Sequence, residues 1–97
     1  MFRSLVEIIL IIDMARFSEY DVVRVVKLLE AERSITGSKG STRQPKVGDM
    51  GAVVFVSDSS DFSTTPVYIV ECVDDAGMTV WLADFQEDEL EIVVYES

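Results

Sequence analysis

A small, mainly β barrel of about five strands is the fold this sequence predicts, and three observations predict it. The apolar runs of the second half are short, rich in Val, Ile and aromatic residues, and bounded by Gly, Pro, Asp and Ser, which is strand punctuation rather than helical periodicity. The chain has 97 residues, 48% of them apolar, which suits one domain, because a chain this short buries roughly 60–65% of its unfolded surface and cannot divide its core. A single cysteine, Cys72, excludes an intrachain disulfide, so the fold must stand on packing. A reducing, cytoplasmic setting is the corresponding expectation.

Residues 1–13, MFRSLVEIILIID, form an apolar leader. Glu7 interrupts its apolar run, Asp13 closes it, and a small-residue cleavage pattern is lacking, so a secretory signal is not expected. The run is also far shorter than the roughly 20 residues that span a bilayer, and no membrane partner is expected. As a helix it places Phe2, Leu5, Ile9 and Ile12 on one stripe at 3-4-3 spacing; as a strand it would be a buried one. In either form it seeks a surface, and these four residues are the candidate contacts of a homo-oligomer.

The barrel is expected over 14–97. In its first segment, 17–32, two readings compete. Ser18 with Asp21 three residues on matches a capping box, Phe17 and Val22 could staple it, and Val22, Val25, Val26 and Leu29 recur at helical spacing. Against a helix stand four valines in Val22–Val26, whose branched side chains favour a pleated strand. Residues 33–46, RSITGSKGSTRQPK, are a long loop by composition. Ala52–Val56 then reads as a buried strand, and SDSSDFSTTP as a polar connection. VYIVECV, Val67 to Val73, is a strand, DDAG a hairpin turn, MTVWLADF the return strand, QEDEL a single tight turn, and EIVVY the last strand.

Charge divides the chain. Residues 1–46 hold all eight Lys and Arg against six acids, net +2, while 47–97 hold twelve acids and no base, net −12. The second half therefore repels phosphate, and nucleic acid is an unfavoured partner for it. Arg33, Lys39, Arg43 and Lys46 in the loop are the one concentration of cations, able either to grip phosphate or to lie on an acidic neighbour.

Chemistry is thinly represented. With no histidine, the commonest general base and zinc ligand is missing, and Ser-His-Asp and Cys-His arrangements cannot form within one chain. Cys72 lies in an apolar strand, where a thiol stays protonated. The acidic groups Asp58 with Asp61, Asp74 with Asp75, and Glu87, Asp88 and Glu89 could offer oxygens to a cation, but none has EF-hand spacing, and turn formation and solubility account for them. No cofactor and no enzymatic activity are expected. Gly48 and Gly51 in KVGDMGAVVFV precede a strand without a following helix, so they build a turn rather than cradle a nucleotide.

The order Tyr20-Asp-Val-Val-Arg-Val, a loop, Lys46-Val-Gly-Asp-Met-Gly-Ala-Val-Val, then Val67-Tyr-Ile-Val-Glu-Cys-Val-Asp-Asp-Ala-Gly and an acidic turn before Leu90 resembles an uncharacterised bacterial family of small SH3-like barrels, with words shared by KOW-type and nitrile-hydratase-like barrels. The resemblance covers residues 20–94. It implies that Tyr20–Leu28 is the first strand and that an aromatic groove beside the first long loop receives peptides. This chain departs from the pattern in its longer first loop and its added leader. Alternation along 78–85 puts Trp81, Ala83 and Phe85 on one face and Val80 and Leu82 on the other, both apolar. The combined expectation is a non-enzymatic, self-associating interaction module. It would present Trp81 and Phe85 with the acids Asp74, Asp75, Glu87 and Asp88 to a basic protein or peptide. A small-ligand or metal-binding barrel and a KOW-like nucleic-acid binder acting through loop 33–46 are the alternatives.

Overall fold

The computed structural model describes residues 16–40, 42–57 and 66–94. Five strands, β1 (Val22–Val25), β2 (Met50–Ser57), β3 (Val67–Val73), β4 (Thr79–Gln86) and β5 (Leu90–Ile92), form one antiparallel sheet, with a 3-10 turn at Glu87–Glu89 leading into β5. The strand order is β4-β3-β2-β1-β5. The first four strands meander, and the chain then returns to lay the last beside the first. This is the expected small, mainly β, barrel-like fold. The leader 1–13, with Phe2, Leu5, Ile9 and Ile12, lies outside the described residues, as do Asp58, Asp61 and Tyr95.

Segment 17–32 resolves as a strand, and a shorter one than Tyr20–Leu28. Half of the capping box forms: the Ser18 N–H donates to Asp21 Oδ2 at 2.9 Å, but the Asp21 N–H goes to the Ser18 backbone carbonyl at 3.1 Å and not to its hydroxyl. They close one turn only. Tyr20 then takes a left-handed φ of 75° while its N–H donates to the Val53 carbonyl at 2.6 Å, which ties the turn to β2. That conformation costs a non-glycine residue roughly 1–2 kcal/mol. It sends Phe17 across the end of the barrel, where it packs edge-to-face on Tyr68 with ring centroids 5.1 Å apart. The Tyr68 hydroxyl accepts from the Arg16 N–H at 2.7 Å. Just beyond Val25 the Val26 N–H donates to the Glu89 carbonyl at 2.7 Å, continuing the β1–β5 pairing by one further hydrogen bond.

Alternation builds the core. Val53, Val70 and Ala83 stand opposite one another across β2, β3 and β4, and Tyr68 stands opposite Phe85. With Val23, Val25, Trp81 and Leu90 these residues are buried. Each large apolar side chain so buried contributes roughly 1.5–3 kcal/mol. Irregularities between Val53 and Phe55 and between Cys72 and Val73 bend the sheet around this core.

Two glycines fit their expected building role. Gly48 has φ 100° in the tight turn before β2. At Gly51 a Cβ would lie 2.5 Å from the Glu71 carbonyl oxygen, so β2 and β3 meet there only without a side chain.

Loop 33–46 is not a freely solvated connection. Thr36 and Leu82 exchange backbone hydrogen bonds of 3.1 and 2.7 Å, the Ser38 N–H reaches the Thr79 carbonyl at 2.8 Å, and the Arg43 N–H reaches that of Val80 at 3.2 Å. The loop thus runs along the outer edge of β4 and satisfies groups that would otherwise template aggregation.

Candidate functional site

Two carboxylates organise the charged residues of this loop. Asp49, just before β2, accepts a forked pair of hydrogen bonds from Arg43 at 2.7 and 3.0 Å, one from the Trp81 indole Nε1–H at 2.9 Å and one from the Lys46 N–H at 2.9 Å. Burial alone would push the Asp49 carboxyl up, but these four donors outweigh it and hold it below the usual carboxylate range. The same hydrogen bonding raises the Arg43 guanidinium.

Glu89, in the 3-10 turn, is 1% exposed. Arg33 Nη2 donates to its Oε2 at 2.6 Å and Nη1 to its Oε1 at 3.3 Å, while the Leu29 and Gln86 N–H groups reach the same carboxylate at 2.8 and 2.9 Å. Arg33 also donates to the Asp84 carbonyl at 2.7 Å and lies 4.4 Å over the Phe85 ring. Burial opposes ionisation of Glu89, yet the Arg33 pair and the two backbone donors bring its carboxyl below the ordinary value. This fork joins loop, β4 and 3-10 turn where the sheet itself does not close.

The expected site residues are therefore dispersed. Trp81 and Phe85 are 0% and 1% exposed, so the aromatic groove assigned to them is corrected: the face they share is the inner one, and a barrel this small packs it solid. Arg33 and Arg43 are committed to Glu89 and Asp49, whereas Lys39 and Lys46 are exposed and join no ion pair among the described residues. The Asp74 carboxylate turns back on its own hairpin, accepting from the Ala76 and Met78 N–H groups at 2.9 and 3.0 Å. Asp75 and Asp88 are exposed, and Glu87 faces Arg16 at 3.9 Å.

Cys72 is buried, and burial followed by the nearby Asp49 carboxylate pushes its thiol up, which disfavours the nucleophilic thiolate. Among the described residues, no group of three or more Cys, Asp or Glu side chains is placed to hold a metal ion, and no helix is long and apolar enough to cross a membrane.

Open surface lies elsewhere. Phe55, Ile69 and Asp84 stand opposite one another across β2, β3 and β4, in the parity opposite to the core row of Tyr68 and Phe85, and so on the outer face. Ala52, Glu71 and Leu82 form the next row, in register with Val22 of β1. Phe55 is 50% exposed. At the β4 side this face runs into a shallow depression of about 340 Å³ lined by Glu30, Glu32, Arg33, Ser34 and Asp84. Period-two alternation along 78–85 places Asp84 on this face, but Phe55 shares the parity of buried Val53 and is turned outward by the irregularity between them, so alternation alone misplaces it in the buried strand expected at Ala52–Val56.

No protein-family model matches this chain, and neither a curated protein nor a solved structure gives a significant match.

Proposed function

We propose that this protein is a non-enzymatic interaction module that presents an acidic surface to a basic protein or peptide. One observation carries the reading: the arginines nearest the acidic half are consumed internally, Arg33 by Glu89 and Arg43 by Asp49, so the exposed acids Glu30, Glu32, Asp75, Asp84 and Asp88 have no ion-pair partner among the described residues. Such a field steers cationic partners and raises their encounter rate. The same observation weakens the nucleic-acid alternative, since two of the four loop cations have no free guanidinium to offer phosphate. Self-association through Phe2, Leu5, Ile9 and Ile12 belongs to the same reading and rests on the sequence alone; light scattering on the full chain and on a chain beginning at Met14 tests it.

The test of the partner class is fluorescence anisotropy with a labelled lysine-rich peptide across a salt series. Binding that weakens steadily as salt rises is the expected result. An absence of binding at low salt, or binding indifferent to salt, overturns the reading.

A further inference from the structure

The outer face of β2, β3 and β4 combines two features that no buried part of the barrel shares. Its row Phe55, Ile69, Asp84 sets an exposed aromatic and an aliphatic beside a carboxylate. Its neighbouring row adds Ala52 and Leu82 around Glu71, whose Oε2 accepts from the Thr79 hydroxyl at 2.6 Å. The apolar part is continuous across strands spaced about 4.8 Å apart, and the acidic part begins about 10 Å from Phe55, two strands over. There Asp84 adjoins Glu30 and Glu32, and the one cation at that point, Arg33, is neutralised by Glu89.

We propose that this face docks an amphipathic cationic segment of a partner protein, with an apolar side chain on Phe55 and Ile69 and a lysine or arginine about 10 Å further on, at Asp84 and the Glu30–Glu32 rim. The inference rests on the basic-partner reading above and adds the surface and the pattern the partner must carry. Charge selects this occupant over a second copy of the chain. Each copy carries a net charge of −10, and a face-to-face pair would bring two Asp84 rims together, each with its one lining cation, Arg33, already held by Glu89. Apolar contact supplies the affinity that exposed ion pairs do not, since these contribute only about 0–1 kcal/mol each.

The experiment is an NMR titration of the ¹⁵N-labelled full chain with a short synthetic peptide alternating lysine and leucine, and with an all-lysine peptide of equal length. The expected result is amide shifts concentrated at Phe55, Ile69 and Asp84, tighter binding of the lysine-leucine peptide, and loss of about tenfold in its affinity in Phe55→Ser, with a smaller loss in Asp84→Asn. Both side chains are exposed, so both variants should melt like the parent chain. If the peptides bind but shift Asp75 and Asp88 instead, and Phe55→Ser changes nothing, the docking surface is wrong while the basic-partner reading stands. If neither peptide binds, both fall. If Phe55 and Ile69 in the free chain already show contacts to residues 1–13, or shifts that move with protein concentration, the face belongs to the leader or to a second copy and the proposal is overturned.

Discussion

The seam where loop 33–46 meets β4 and the 3-10 turn, and the outer face of β2, β3 and β4, use the same kinds of residue in opposite ways. At the seam both arginines and both inward carboxylates are answered: Arg33 by Glu89, Arg43 by Asp49, and each carboxylate by two further N–H donors. No buried side-chain nitrogen or oxygen among the described residues lacks a partner. On the outer face Phe55 stands half in water and Asp84 has no cation against it among the described ion pairs. A barrel with two unpaired ends closes its seam with ionic forks because no strand is available to do it. Its outer face is free to carry unsatisfied groups, because nothing in the core depends on them.

The sharpest way to break this comparison is at Glu89. Glu89→Ala strands the Arg33 charge and two backbone donors in a nearly dry site, and the loss of one partner from a buried pair costs about 3–5 kcal/mol. Urea unfolding monitored by Trp81 fluorescence reads it directly. A loss below about 1 kcal/mol, the worth of an exposed pair, would mean that water reaches the fork. The double change Arg33→Met with Glu89→Leu removes both charges but still abandons the Leu29 and Gln86 N–H groups, so it should recover only part of the stability.

Acid attacks both carboxylates together, with a smaller effect because a protonated carboxyl keeps its volume and some hydrogen bonds. Asp49 and Glu89 are both held below their ordinary values in the fold, so the unfolded chain binds protons more readily than the native one. Their stabilisation is complete above the unfolded carboxylate range of about 4 and disappears as pH falls through the lower folded values. A urea midpoint that is flat near neutrality and falls progressively below about pH 4 is expected; a midpoint rising on acidification would contradict the arrangement.

Gly51→Ala tests the sheet rather than the seam. Its Cβ would meet the Glu71 carbonyl oxygen at 2.5 Å, a backbone atom that yields only if β2 and β3 separate, so a destabilisation of about 1–3 kcal/mol is expected. Thermal melting of the variant suffices to measure it. Arg43→Lys comes next: it keeps the charge near Asp49 but gives up the fork, at about 1 kcal/mol.

Much of the strand pattern was legible because alternation and turn residues are local signals. Val67–Val73 was read at its observed limits, and QEDEL was read as a single turn. The first strand was harder, since the Asp21 carboxylate does make one of the two capping-box hydrogen bonds, from the Ser18 N–H. What decides against a helix is Tyr20, whose left-handed backbone is fixed by Val53, 33 positions away in the numbering. The seam was not legible at all: Arg33 and Glu89 are separated by 56 residues, and neither carries a pattern that names its partner.

The smallest expected effect lies within the loop itself and separates its two kinds of cation. Lys39 and Lys46 are exposed, in the same segment as two arginines that hold the fold together. Changing both lysines to alanine should move the urea midpoint by less than about 0.5 kcal/mol in free-energy terms, the usual range for surface positions without partners. The same double variant carries information about partners, since these lysines are what loop 33–46 can still offer an anion. If retention on immobilised RNA is negligible for the parent chain and unchanged in the variant, the loop's cations serve the fold. If the parent is retained and the variant is not, the loop binds phosphate with its lysines while its arginines hold the barrel, and the acidic outer face would have to share the molecule with a nucleic-acid site.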